Sequence, residues 1–314
     1  MGLMRLCWLL LMSMPFCVGA EVETIPLTAK GEILRAEVFV WGVSKVARLR
    51  GEATDRWGQP SLPGCRGVLV LCPGQNGSSE GMLRDKVWQE FAERQGLALA
   101  GFHFVSSGED LKNGRGYFAA SRGSGALLEE GLKKAGLGSA PLVLYGFSGG
   151  AHFAMSFAAW RPERVAGFCA YSFAWWSPPP PKLQCPALIV CGQADGTRYG
   201  ASLAYFQAGR RQASPWAWVS LKETPHAASA ELDEFVRAYF SCVMNFTEGN
   251  KGKEGLTGSP LPSLSSVQSS SVGGMIRVDN VTEKVVEGRK KDDVSTSVLP
   301  CLDLLPKWQA IHHP

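Results

Sequence analysis

The chain has 314 residues, of which 45% are apolar and 19% charged, a balance that excludes a fully disordered chain. Its 36 glycines and 19 prolines follow no triplet period, which excludes a collagen-like fibre. The net charge of +4 comes without any long Lys/Arg block, so nothing points to nucleic acid as a partner.

Met1 to Arg5 is a short start with one positive charge, Leu6 to Met14 is an apolar run, and Val18-Gly19-Ala20 supplies small residues before Glu21. This is the layout of a secretory signal peptide cleaved near Ala20, which predicts a secreted or periplasmic protein. An uncleaved membrane anchor is the alternative. The run falls short of the roughly 20 residues of a spanning helix, and no later run is long enough. Cleavage removes Cys7 and Cys17 and leaves seven of the nine cysteines. Cys72, Cys169 and Cys191 lie in apolar runs and are expected to be buried. Cys65, Cys185, Cys242 and Cys301 lie near segment ends, where bridges are feasible, with the connectivity open. No C-x-x-C spacing suggests a metal.

The predicted elements then alternate. Strands are expected at 33–41, 68–72, 97–105, 141–145, 165–171, 187–191 and 216–221. Helical spacing appears at 83–92, more weakly at 117–135, then at 151–160 and 199–211. Leu232, Phe235, Val236, Tyr239, Phe240 and Val243 form the cleanest amphipathic stripe. Strands alternating with helices imply a mostly parallel, doubly wound sheet with helices on both faces. Residues 21–246 are read as this α/β domain. Residues 247–274, rich in Ser, Gly, Pro and Lys, read as a flexible linker. Residues 275–314 form a C-terminal tail that either docks on the domain as a strand and short helix or stays disordered.

Gly146-Phe147-Ser148-Gly149-Gly150 fits G-x-S-x-G, and an apolar strand runs straight into it with a helix behind. A serine on that sharp turn projects its hydroxyl from the sheet edge, and the helix aims its positive end at the charge formed during attack. The hydroxyl needs a base. His226 follows the strand 216–221, at the same sheet edge as Ser148. His152 stands one helical turn beyond Ser148, where packing or an indirect hydrogen bond is expected. His103, between Phe102 and Phe104, either lines the cleft or packs in the core. His312 and His313, in the tail, are expected to be solvated. Asp195, after the strand 187–191, is placed to hold the base, with Glu223 as a rival. Backbone N–H donors for an oxyanion are expected from Gly149 and from Gln75 in Cys72-Pro73-Gly74-Gln75-Asn76-Gly77, with Asn76 as second choice. Phe173, Trp175 and Trp176 form either an acyl or sugar-stacking wall or simple packing under a loop.

Together these features resemble the α/β-hydrolase superfamily over about residues 33–245, with similarity to secreted esterases of the dienelactone-hydrolase-like kind. The resemblance implies Ser148 as nucleophile, Asp195 as acid, His226 as base, and Gln75 and Gly149 as the oxyanion hole. It implies no cofactor and no metal. Pro73-Gly74 stands where many members have His-Gly. The short interval from Ser148 to Asp195 leaves no room for a large cap domain. The expected function is a secreted serine hydrolase cleaving carboxylic esters of small molecules or carbohydrates, with Asn76, His103, Trp175 and Trp176 as candidate substrate contacts. A serine peptidase on the same fold and a catalytically silent binding protein are the alternatives.

Overall fold

The computed structural model describes residues 21–43, 65–181, 183–254, 274–286 and 292–314, with side chains of the long helix described to residue 245. The expected signal segment and most of the expected linker lie outside these residues. Eight strands form one sheet: β1 (Glu23–Pro26), β2 (Arg35–Trp41), β3 (Gly67–Cys72), β4 (Leu97–Val105), β5 (Leu142–Phe147), β6 (Val165–Tyr171), β7 (Ala187–Gly192) and β8 (Trp216–Leu221), in the order β1-β2-β4-β3-β5-β6-β7-β8. From β4 to β8 neighbouring strands run parallel, while β1 and β2 add an antiparallel edge.

Strand side chains alternate between two cores because the pleat has a period of two. Val68, Val70, Leu142 and Leu144 pack beneath α4 (Ser124–Lys134), α5 (Gly149–Trp160) and α6 (Thr197–Arg211). Leu69, Leu71, Val143 and Tyr145 face α2 (Lys86–Gln95) and α7 (Ala230–Glu254) on the other side. Every residue of β3, β7 and β8 is buried, as expected for strands covered on both faces.

Three elements depart from the sequence expectation. The helix expected at 83–92 is split at Asp85 into α1 (Glu80–Arg84) and α2. Asp85 is extended, and its carboxylate caps α2 by accepting from the Val87 N–H at 2.8 Å. The helix expected at 117–135 begins only at Ser124. Gly116 and Gly123 have φ of 71° and 126°, incompatible with a right-handed helix, and short 3₁₀ turns fill the interval after the small helix α3 (Gly108–Lys112). The helix α7 continues to Glu254, past residue 246 where the domain was expected to end.

The tail docks. Strands β9 (Ile276–Asp279) and β10 (Thr296–Leu299) form an antiparallel pair, and α8 (Leu305–Ile311) follows. A disulfide joins Cys242 of α7 to Cys301, while Cys65, Cys72, Cys169, Cys185 and Cys191 are free thiols. The physical reason for docking is the exposed edge of β8, whose unpaired backbone groups need partners. Ser297 Oγ accepts from the Trp218 N–H, Trp308 Nε1 donates to the Trp218 carbonyl, His312 Nδ1 accepts from the Ser220 N–H, and the His313 N–H donates to the Ser220 carbonyl, all at 2.8–3.2 Å. Arg210 on α6 donates to the Thr296 carbonyl at 2.9 Å.

His312 is therefore buried rather than solvated. It stacks on Trp308 with centroids 4.3 Å apart and donates from Nε2 to the Asn280 carbonyl at 2.9 Å. Burial pushes its pKa from the ordinary 6.5 down to about 4. The unfolded chain binds this proton more readily than the native state, so the contribution is complete above the unfolded value and is lost as pH falls towards 4. Replacing His312 with Asn is expected to flatten the drop in thermal midpoint between pH 6.5 and 4. Calorimetry of both proteins across that window checks it, and an unchanged slope counts against the linkage.

Candidate active site

Ser148 stands between the end of β5 and the start of α5 with φ 55° and ψ −116°, a region non-glycine residues rarely occupy. Its backbone N–H donates to the Tyr171 carbonyl at 2.9 Å. The turn is possible because of its neighbours. A Cβ on Gly146 would strike the Gly150 carbonyl, and one on Gly150 would strike the carbonyl of Cys72 at the end of β3. The bend thus rests directly on the loop that begins at Pro73.

That loop is fixed from below. Asn76, at φ 52°, uses its side chain twice: Nδ2 donates to the Ser106 carbonyl and Oδ1 accepts from the Ser106 N–H, both at 3.0 Å. Asn76 is consequently a clamp between the loop and the end of β4 rather than a substrate contact. The Gln75 backbone nitrogen lies 2.8 Å from the point a Cβ on Gly149 would occupy. The structure thereby brings Gln75 and Gly149 side by side next to Ser148, with α5 directing its N-terminus at the same place.

His226 Nε2 lies 3.0 Å from Ser148 Oγ, and His226 Nδ1 lies 2.9 Å from Asp195 Oδ2. Asp195 accepts from Nδ1, which leaves Nε2 as the acceptor of the serine proton. The Asp195 side chain is only 2% exposed, and the Arg198 guanidinium faces its other oxygen at 3.5 Å. Glu223, the rival acid, sits in a turn at φ 49° and lends only its backbone, donating to Gln193 Oε1 at 3.4 Å.

Two loops carry His226 and Asp195, and several contacts lace them together. The Gln193 and Ala194 N–H groups donate to the Leu221 and Thr224 carbonyls. Gln193 Nε2 donates to Ser220 Oγ and to the His313 carbonyl, each at 3.1 Å, so the docked tail reaches the base of the site. Tyr171 Oη donates to the Ala227 carbonyl at 2.5 Å. Burial pushes the Tyr171 hydroxyl pKa up to about 12, which keeps it a donor. Phe147 stacks on the His226 ring with centroids 4.7 Å apart. Sequence reasoning missed Phe147, Tyr171 and Gln193 as supports. For Phe147 the signal was its position as the x before the serine in G-x-S-x-G. The other two have none, because their partners are distant in sequence.

Beside Ser148 lies a cleft of about 340 Å³ whose walls include Gln75, Gly149, His152 and Trp175. His152 is stacked on Trp175 with centroids 4.1 Å apart, and its Nε2 accepts from the Ala174 N–H at 3.4 Å. Burial pushes its pKa down to about 3, so the ring is neutral. Two candidate contacts lie elsewhere. His103 projects from β4 opposite Glu37 of β2, with Nδ1 3.5 Å from the carboxylate, because alternation puts it on the face opposite Phe102 and Phe104. Trp176 packs on Tyr205 of α6, since its neighbour Trp175 takes the outward direction. Among the described residues, no group of His, Cys, Asp or Glu is arranged to hold a metal, and no helix is long and apolar enough to cross a membrane.

No protein-family model and no curated protein sequence matches the chain. Solved structures do resemble it. An S-formylglutathione hydrolase from Agrobacterium tumefaciens superposes with a TM-score of 0.52 at 14% identity, covering 72% of this chain and 95% of its own. A ferulic acid esterase gives 0.50 at 14% identity, covering 72% and 96%. The S-formylglutathione hydrolase FrmB from Staphylococcus aureus gives 0.50 at 15% identity, covering 72% and 98%. At such identities the likeness is one of fold.

Proposed function

We propose that this chain, which has the α/β-hydrolase fold, is a secreted serine hydrolase that cleaves carboxylic esters through an acyl-enzyme. The observation that carries the reading is the continuous chain from Ser148 Oγ through His226 to Asp195, with both hydrogen bonds at 3.0 Å or less, on a strained strand-to-helix turn.

In this mechanism Ser148 Oγ attacks the ester carbonyl carbon as His226 Nε2 takes its proton. Asp195 steadies the imidazolium and fixes its tautomer. The carbonyl oxygen gains the negative charge, which the Gln75 and Gly149 N–H groups and the end of α5 stabilise. His226 returns the proton to the leaving alcohol. Water then attacks the acyl-serine with His226 again as base, releasing the acid and restoring Ser148. The disulfide between Cys242 and Cys301 supports export to an oxidising compartment, in keeping with removal of residues 1–20.

The test is hydrolysis of short and long p-nitrophenyl esters by residues 21–314 beside Ser148→Ala. The parent is expected to turn them over and the variant to lose about 10⁶-fold in kcat. Equal rates in the two proteins overturn the assignment.

A further inference from the structure

The cleft beside Ser148 has a side. Ser148, Gly149 and Gln75 line it, and His226 does not. Because His226 must hand a proton to the leaving oxygen, the alcohol portion lies towards His226 and the acyl portion enters the cleft. This assignment rests on the reading given under Proposed function.

Two cationic side chains stand at the cleft. Lys112, at the end of α3, and Arg198, in the first turn of α6, both line it, and no carboxylate does. Lys112 is exposed and stands in no ion pair with a described residue. Arg198 faces Asp195 at 3.5 Å through one nitrogen, which leaves other N–H groups of its five free to bind. His152, only 6% exposed, lines the same cleft, and its Nδ1 has no hydrogen-bond partner. Since Nε2 accepts from Ala174, Nδ1 carries the ring proton and is enclosed by the protein, so His152 lends the cleft its ring and no donor. Trp175 and Phe118, in edge contact at 6.1 Å, supply the apolar wall.

We propose that the acyl group accepted here carries a free carboxylate: the substrate is a half-ester of a short dicarboxylic acid, its hydrocarbon part against Trp175 and Phe118 and its carboxylate held by Lys112 and Arg198. Hydrolysis then releases the dicarboxylate, the alcohol and a proton, with water as the only co-reactant.

Mono-p-nitrophenyl glutarate and p-nitrophenyl pentanoate share chain length and leaving group and differ in the terminal charge. Measured above the enzyme-free rate, the glutarate is expected to show at least about tenfold higher kcat/KM in the parent. Lys112→Glu is expected to lower the ratio of glutarate to pentanoate kcat/KM at least about tenfold, since like charges juxtaposed in a site are costly. Added salt should narrow the gap between substrates. Equal or better turnover of pentanoate by the parent overturns the proposal, as does an equal loss on both esters in Lys112→Glu with an unchanged thermal midpoint. Absence of Ser148-dependent turnover of either ester is a different failure, that of the hydrolase reading itself.

Discussion

Asp195→Asn is expected to lower kcat on any ester this protein hydrolyses by about 10⁴-fold, equivalent to roughly 5.4 kcal/mol of transition-state stabilisation. The substitution keeps the shape of a side chain that is 2% exposed, so the fold survives. What changes is hydrogen-bond polarity. The carboxylate accepts from His226 Nδ1 at 2.9 Å. An amide nitrogen turned to that position donates instead, forcing the ring proton to Nε2, and a protonated Nε2 cannot accept from Ser148 Oγ. The imidazolium formed during attack also loses its counter-charge. Steady-state kinetics beside a thermal melt separates the two effects: kcat should collapse with the melt nearly unmoved. A loss of less than tenfold would remove Asp195 from the proposed mechanism.

Gly150→Ala is expected to destabilise the protein by at least about 3 kcal/mol, the upper end of what forced overpacking costs, and to abolish activity in whatever remains folded. The added methyl would strike the Cys72 carbonyl and lie 2.7 Å from that of Pro73. Both are backbone atoms at the end of a central strand, so no side chain can swing aside. Relief requires moving α5 away from β3, which separates Gly149 from Gln75. For a domain of this size the thermal midpoint should fall by roughly 6–12 °C. Gly200→Ala in α6 is the control. A Cβ there meets nothing within 4 Å, so Ala should be neutral or stabilise by roughly 0.5–1 kcal/mol. Melting curves and soluble yield read both variants, and equal behaviour of the two would defeat the steric argument.

These expectations come from different depths of information. Strand and helix alternation was legible because apolar runs such as Val68 to Leu71 and Leu142 to Tyr145 have little choice but burial on both faces. The strained serine turn was legible because Gly146 and Gly150 flank a serine directly after such a run. Asp195 and His226 could be placed near Ser148 without distances, since parallel strands deliver the residues that follow them to one sheet edge.

Direction within an edge was not legible. His103 and Asn76 sit near strand ends, as Asp195 and His226 do, yet His103 turns to Glu37 and Asn76 spends its side chain on Ser106. Trp175 and Trp176 are neighbours in the chain, and only tertiary packing sends one to the cleft and the other to Tyr205. The helix expected across Tyr117 failed because Gly116 and Gly123 take positive φ, which ends a right-handed helix, and at Gly116 the chain passes so close to Ser106 that a Cβ would strike it.

The sequence by itself determined the layered α/β architecture, the strained serine turn and the order in which serine, carboxylate and histidine reach one edge, because burial and periodicity act locally. Only the tertiary structure decided that the tail seals the edge of β8, that Gln193 joins the Asp195 and His226 loops to His313, and that Lys112 and Arg198, with no carboxylate, line the cleft beside Ser148. Each of those depends on hydrogen-bonding groups far apart in the chain meeting at the end of folding, and neither composition nor spacing carries that information.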